Sequence, residues 1–363
     1  MIFFAVRELG LFVLSWMGHE NDTTIGQALT SWDGQWYLGI ASGGYGHVPD
    51  SLVDAFGQRT PETPLAFFPG YPTLVHLLAQ LPGIGLVASA LMISAAFGLL
   101  SAYALARMGQ VIAGGSRRAG WALVALFGGS PMGVVLSMAY SEAMFCAMAA
   151  WALVFVLERR WVLAGVCCSL AGLARPTAGA LLLAVGLAML VAIMQRRDSW
   201  RPWLGAVLAP VGLLGYLGWV GAQTGSAGGW FELQEQGWDS RFDGGLATLR
   251  FSAEVLASAR SVLEVATVAL LVAAIALLVI GFRQRLEWPL LVYAVGVLAM
   301  NLGSNGLMNS KARLLVPAFT LLIPIALALA RRRPATMVLT LSAFAVGSAW
   351  FGAYAITAWG YAI

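Results

Sequence analysis

Apolar runs of about 20 residues, the length that crosses the hydrocarbon core of a bilayer, recur along most of this chain. They predict spans at 1–17, 84–106, 119–136, 139–157, 161–177, 178–194, 203–222, 262–281, 288–304, 312–330 and 335–356, about eleven in all. Two stretches break the pattern, a long loop at 18–81 and a second at 223–261. In the first loop Trp32, Trp36, Tyr37 and Ile40 fall at i, i+4, i+5 and i+8, one face of a helix. That spacing predicts a short amphipathic helix lying in the membrane interface, with Asp33 at the edge of its aromatic face. Pro69 and Pro72 are expected to stop any helix there, and Thr73 to Leu81 to form a second interfacial segment. The fold class expected is all-α: one polytopic transmembrane helix bundle over residues 1–363.

Composition agrees with the pattern. Of the 363 residues, 60% are hydrophobic and 10% charged, against roughly 25% charged in soluble proteins, and the mean hydropathy is +0.79. The net charge of +4 does not point to nucleic acid, because the arginines fall in short clusters between apolar runs. Arg107, Arg117, Arg118, Arg159, Arg160, Arg196, Arg197, Arg201, Arg283, Arg285 and Arg331 to Arg333 occupy alternate connections, which the positive-inside bias makes cytoplasmic. The loops at 18–81 and 223–261, with most of the acids, are then extracytoplasmic, where sugar nucleotides and ATP are not available. Cys146, Cys167 and Cys168 lie in apolar runs without metal-type or paired spacing and read as small core residues. The first span lacks a basic leader and a small-residue cleavage site, so no cleavable signal peptide is expected. It carries Arg7 and Glu8, adjacent and therefore not facing each other; either the true start is expected to lie upstream, or Arg7 points into the bundle, where an intramembrane charge is a functional candidate.

Candidate chemistry gathers on the outer side. Asp33 stands between Trp32 and Trp36 as either a helix cap or a general base beside aromatics. Glu142, after Ser141, begins a span and reads as a dipole-compensating acid or a site residue. Arg175, in Arg175-Pro176-Thr177, is a snorkelling arginine or a phosphate ligand through its bidentate fork. Lys311 and Arg313 make the same offer at a later span. In the second loop Trp230, Phe231, Trp238, Arg241 and Asp243 are either an acceptor surface or an aromatic anchor. Other signals carry no chemistry. Gly83 to Ala88 fits a dinucleotide fingerprint but follows no strand, and His19, His47 and His76 lack ligand spacing. Glu20-Asn21-Asp22 is a short acid pair in a polar loop, and no Walker loop or Gly-x-Ser-x-Gly elbow is present. No cofactor is required by any of this; a divalent metal is admissible but not indicated.

Several blocks, taken together, resemble the PIG-V-type mannosyltransferases, relatives of GPI mannosyltransferase II in the GT-C superfamily. They are Trp32-Asp33-Gly34-x-Trp36-Tyr37-x-x-Ile40-Ala41, Gly44-Tyr45, Phe67-Phe68-Pro69-x-Tyr71-Pro72, Tyr140-Ser141-Glu142-Ala143-Met144-Phe145, Leu173-Ala174-Arg175-Pro176-Thr177 and Arg313-Leu314-x-x-Pro317-Ala318-Phe319. The resemblance runs in order from about residue 30 to 320. Ala174 stands where Thr is more usual, and the chain is shorter than eukaryotic members. That shortness directs the expected acceptor toward a bacterial phospholipid glycan, lipoglycan or other envelope component.

The resemblance implies a GT-C bundle in the cell membrane and a polyprenyl-phosphate-mannose donor. It also implies inverting transfer to a lipid or glycan acceptor on the extracytoplasmic face, with Asp33 as the catalytic aspartate. Trp32, Trp36, Tyr37, Tyr45, Glu142, Arg175, Lys311 and Arg313 are then the expected substrate-binding residues. Three alternatives stand beside this reading: a lipid or sugar transporter or flippase, a non-catalytic GT-C-like scaffold serving a partner enzyme, and a GT-C enzyme using another polyprenyl-phosphate sugar.

Overall fold

The computed structural model describes residues 1–258 and 261–359; positions 259 and 260 of the second loop lie outside the described residues. Among them the chain is all-helical, its one β-type contact being an isolated bridge between Phe242 and Ser304. Six helical segments are long and apolar enough to cross a membrane: Ile2–Glu20, Leu86–Val111, Arg201–Thr224, Val262–Arg283, Met308–Ala330 and Pro334–Thr357. Other apolar runs fold as shorter helices, Arg117–Gly128, Glu142–Leu157, Trp161–Gly172, Ala178–Met194 and Trp288–Gly303. At about 1.5 Å per residue the 16 residues of Glu142–Leu157 reach only ~24 Å.

The reason for the shortening is visible between 128 and 142. The predicted span 119–136 runs across Gly129-Ser130-Pro131, a helix-breaking cluster, and there the backbone leaves the helix, at Gly129. It passes through a 3₁₀ turn, Gly133–Leu136, before the next helix begins at Glu142. This irregular segment is buried, as non-helical backbone at membrane depth must be. Ser94 donates to the Met138 carbonyl (2.7 Å), and the Ala139 amide donates to Leu29 O (2.8 Å). Arg7 serves the same break. It points into the bundle, donating to Gly128 O at 2.7 Å, a cation on a helix-terminal carbonyl, and to Ser137 Oγ at 3.0 Å.

Glu142–Leu157 is the central helix, with buried residues on every face, and it packs against Leu86–Val111, Trp161–Gly172 and Ala178–Met194. Beside it, the hairpin of Leu86–Val111 and Arg117–Gly128 closes on glycine: a Cβ at Gly109 would collide with the Cα of Gly120. Cys146 and Cys168 are buried and Cys167 half-buried, all as free thiols.

The connections sort into two groups by contact. In one, Arg107 pairs with Glu158 (2.6 Å) and Arg159 with Asp198 (2.9 Å). Arg118 donates to Arg332 O (2.7 Å), and Glu287 accepts from the Ala113 amide (2.6 Å). In the other, the two long loops meet: the Ala55 amide donates to Gly237 O, and Trp230 and Gln234 donate to Ala66 O. The arginine-rich connections therefore gather apart from the loops that carry Asp33 and Trp238.

The first loop is itself helical. Asp33–Gly43 forms where the aromatic spacing predicts a helix, but its face is buried against protein. Trp36 stacks on Phe67 with ring centroids 5.2 Å apart and meets Trp238 edge-on at 6.2 Å. The prolines start a helix rather than stop one: Gly70–Ala79 begins with Pro69 as cap and Pro72 in its first turn, where a missing N–H costs nothing.

Candidate active site

The Asp33–Gly43 helix is entered through Trp32, whose φ of 54° and ψ of −120° lie in a region that non-glycine residues rarely occupy. That backbone turn leaves the Trp32 side chain exposed and puts Asp33 in the first helical turn, its amide donating to the Tyr140 hydroxyl at 3.2 Å. The same break that ends Arg117–Gly128 thus delivers Tyr140, Ser141 and Glu142 to the aspartate.

Four charged side chains, from four distant parts of the chain, join in a line. Asp33 Oδ2 meets Arg313 Nη1 at 2.6 Å; Arg313 Nε lies 3.6 Å from Glu142 Oε1; and Glu142 Oε1 lies 2.6 Å from Arg175 Nη1. Arg313 also sits over the Tyr140 ring, 5.3 Å from its centroid, a cation–π placement. Arg175 donates to Ser141 Oγ at 3.3 Å, and that hydroxyl shares a 2.8 Å hydrogen bond with Tyr37. Burial pushes the Tyr37 phenol up to about 12, so it remains a hydroxyl at neutral pH.

The contacts at Glu142 are ion pairs without hydrogen-bond alignment. Both Glu142 oxygens and the Nε atoms of Arg175 and Arg313 are buried with no aligned hydrogen-bond partner. Charged groups held out of water ordinarily take such partners. The arrangement therefore has hydrogen-bonding capacity left over at its buried end.

The Phe67-to-Pro72 block supports Arg175. The Gly70 amide donates to Leu173 O at 2.8 Å, and a Cβ at Gly70 would stand 2.8 Å from that same oxygen. Only glycine lets the two backbones approach this closely. Tyr71 is anchored in turn to Ala90 O and Ser94 Oγ, both at 2.9 Å. Tyr45 donates to Phe67 O (2.7 Å) and packs on Trp219 and Tyr216.

The structure thus brings Asp33, Glu142, Arg175 and Arg313 together, with Tyr37 alongside. Trp36 and Tyr45 lie in the aromatic layer behind them, and Trp32 faces out. Lys311 is not in the group: its ammonium is turned to the end of the Trp288–Gly303 helix, donating to Asn301 O (2.6 Å) and Ser304 O (2.8 Å). In the second loop, Trp230 is a buried joint against Phe68. Asp243 accepts from the Gly245 and Ala247 amides at 2.8 and 2.7 Å, ahead of the Leu246–Ser258 helix. Both have local structural work, while Phe231 is exposed.

Sequence reasoning missed Arg59, whose guanidinium lies 5.4 Å from the centre of the Trp36 ring; a lone loop arginine carries no signal. It also missed Tyr216, whose hydroxyl bonds to Leu65 O and Phe67 O, because a tyrosine in an apolar run reads as an anchor. Among the described residues no group of three His, Cys, Asp or Glu side chains is placed to hold a metal ion. A groove of about 560 Å³ borders Leu214, Leu217, Gly218, Trp230 and Phe231, and its lining includes none of the four charged residues. Compared with known protein families and with curated proteins, the chain matches no family model and no curated protein.

Proposed function

We propose that this chain is a membrane-embedded glycosyltransferase of the GT-C type. It moves mannose from a polyprenyl-phosphate-mannose donor to a lipid-linked or envelope glycan acceptor, with Asp33 as general base. One observation carries the reading: the line Asp33–Arg313–Glu142–Arg175 draws on four separate blocks of the resemblance.

The chemistry follows from those residues. Asp33 takes the proton of the acceptor hydroxyl as its oxygen bonds to the anomeric carbon. The bond from that carbon to the phosphate oxygen breaks, and polyprenyl phosphate leaves with the electron pair. No general acid is needed, since a phosphate monoester has a second pKa of about 6. Arg175 and Arg313 receive the charge that develops on the phosphate, the kind of preorganised stabilisation that supplies much of a rate enhancement. Attack opposite the leaving group inverts the anomeric carbon.

The topology belongs to the same proposal: a GT-C arrangement of about eleven membrane-embedded helices, in the cell membrane, with the Asp33 loop extracytoplasmic. It is supported by the grouping of the arginine-rich connections away from the two long loops. A GT-C enzyme using another polyprenyl-phosphate sugar suits the same four side chains. Carboxylate and guanidinium groups suit a hydroxyl and a phosphate, and none of the four distinguishes mannose.

The test incubates membranes containing the protein with radiolabelled polyprenyl-phosphate-mannose and identifies the lipid or glycan that gains label. Transfer that is lost in Asp33→Asn is the expected result. No transfer from any polyprenyl-phosphate sugar, together with substrate uptake into proteoliposomes, would replace this reading with a transporter.

A further inference from the structure

The four charges differ in how far water reaches them. The side chains of Glu142, Arg175 and Arg313 are 0%, 9% and 9% exposed, whereas that of Asp33 is 25% exposed. Asp33 is the outermost member of the line and lies directly on Arg313 at 2.6 Å. Arg313 still has a buried Nε without an aligned partner, as does Arg175. The 3.6 Å separation of Arg313 Nε from Glu142 Oε1 leaves that donor only loosely engaged, and a carboxylate closes the site on the outside.

Charge balance decides what an arriving anion must do. The line holds two carboxylates and two guanidinium groups and is neutral. Adding a phosphate beside both acids would leave an uncompensated negative charge in a poorly hydrated place, which is costly. Glu142 is enclosed and has nowhere to go. Asp33, 25% exposed, is the acid that water reaches and the one with room to move.

Building on the assignment of Arg175 and Arg313 as phosphate ligands, we propose that Asp33 masks Arg313 in the empty site, and that a phosphate monoester or diester displaces it. The phosphate and Asp33 compete for one guanidinium. Phosphate binding then frees the base: the carboxylate leaves Arg313 and is available to the acceptor hydroxyl. The order is useful, because the base is held by an arginine until a donor is in place.

The test titrates decyl phosphate into the purified protein in nanodiscs by calorimetry. Decanol serves as the uncharged control and inorganic phosphate as the arm without a chain. Asp33→Asn removes the competitor and is expected to bind decyl phosphate at least tenfold more tightly than the wild type. Glu235→Gln makes the same charge change at an exposed loop position that pairs with Arg241, and is expected to bind as the wild type does. Unchanged or weaker binding in Asp33→Asn overturns the competition, and equal tightening in Glu235→Gln reduces it to net charge and also overturns it. If none of the proteins prefers decyl phosphate to decanol, the phosphate assignment itself fails. The wild type gives a second reading that needs no variant, a structure determined with decyl phosphate bound. Separation of Asp33 and Arg313 beyond about 4 Å, with a phosphate oxygen on Arg313, is expected; an intact pair beside bound phosphate refutes the displacement.

Discussion

Arg313 meets Asp33 at 2.6 Å across 280 positions of sequence. It also faces Glu142 at 3.6 Å, so one guanidinium is divided between a carboxylate that water reaches and one that it does not. The two acids consequently answer to different tests.

Asp33→Asn is expected to keep the fold and lose the reaction. Removing a general base costs roughly 10²–10⁴ in rate. The check is label transfer from polyprenyl-phosphate-mannose alongside a melting curve in detergent: a rate within a few-fold of wild type removes Asp33 as the base.

Glu142→Gln is expected to do the reverse first. It leaves Arg175 and Arg313 buried without their shared anion, and breaking a buried pair from one side costs ~3–5 kcal/mol. Its melting temperature should fall well below that of Asp33→Asn. Equal melting temperatures for the two variants would place Glu142 outside the packed network.

Gly70→Ala tests the buttress under Arg175. The added methyl would meet Leu173 O at 2.8 Å and Met144 Cε at 3.0 Å, and the backbone oxygen cannot yield without moving the Arg175 turn. Transfer should drop more than stability does, measured as initial rate against melting temperature; unimpaired transfer would mean the turn tolerates the shift.

Arg7→Met separates structure from chemistry. The substitution strips Gly128 O and Ser137 Oγ of a charged donor, worth about 1.5–3 kcal/mol for each such bond. A lower melting temperature with an unchanged donor KM is expected. A raised KM with normal stability would make Arg7 part of the substrate path.

Asp243 supplies a pH dependence. The Ala247 amide, with the Gly245 amide and the Lys311 ammonium adding to it, holds its carboxyl below the ordinary value. A lowered folded-state value means stability that is present above the unfolded value of ~3.9 and lost as pH falls through the folded one. The melting-temperature difference between wild type and Asp243→Ala should therefore persist at neutral pH, begin to shrink at about pH 4 and close only below the lowered folded value. A difference that stays constant to pH 2 would show that the carboxylate charge does not matter there.

Helices and the Asp33 neighbourhood were legible because both are written in local pattern. Apolar runs mark the apolar helices, six of which are long enough to cross a membrane, and the spacing of Trp36, Tyr37 and Ile40 marks the helix that carries the aspartate. The path through the breaks was not legible. Gly129-Ser130-Pro131 is a breaker cluster inside the predicted span 119–136, but the path taken beyond it is set by tertiary partners such as Arg7, Ser94 and Leu29. Lys311 and Arg313 illustrate the same limit. Two residues apart, they offer equivalent charge in sequence, yet one turns to a helix end and the other to Asp33, a choice made by the backbone between them. Pro72 misled for a simpler reason: whether proline ends or opens a helix depends on its position in the first turn.

Arg313 opens a stretch wound as 3₁₀ rather than α-helix, Arg313–Leu322, with Pro317 inside and a kink at Ala318. A 3₁₀ helix turns each residue by ~120° and an α-helix by ~100°, so the five steps from the kink back to Arg313 accumulate about 100° of difference. Rewinding that stretch would swing the guanidinium a quarter-turn around the axis, away from both acids. The aim of the cation is thus stored in the coiling of a segment several residues downstream, and a substitution at Pro317 would reach the aspartate by torsion alone.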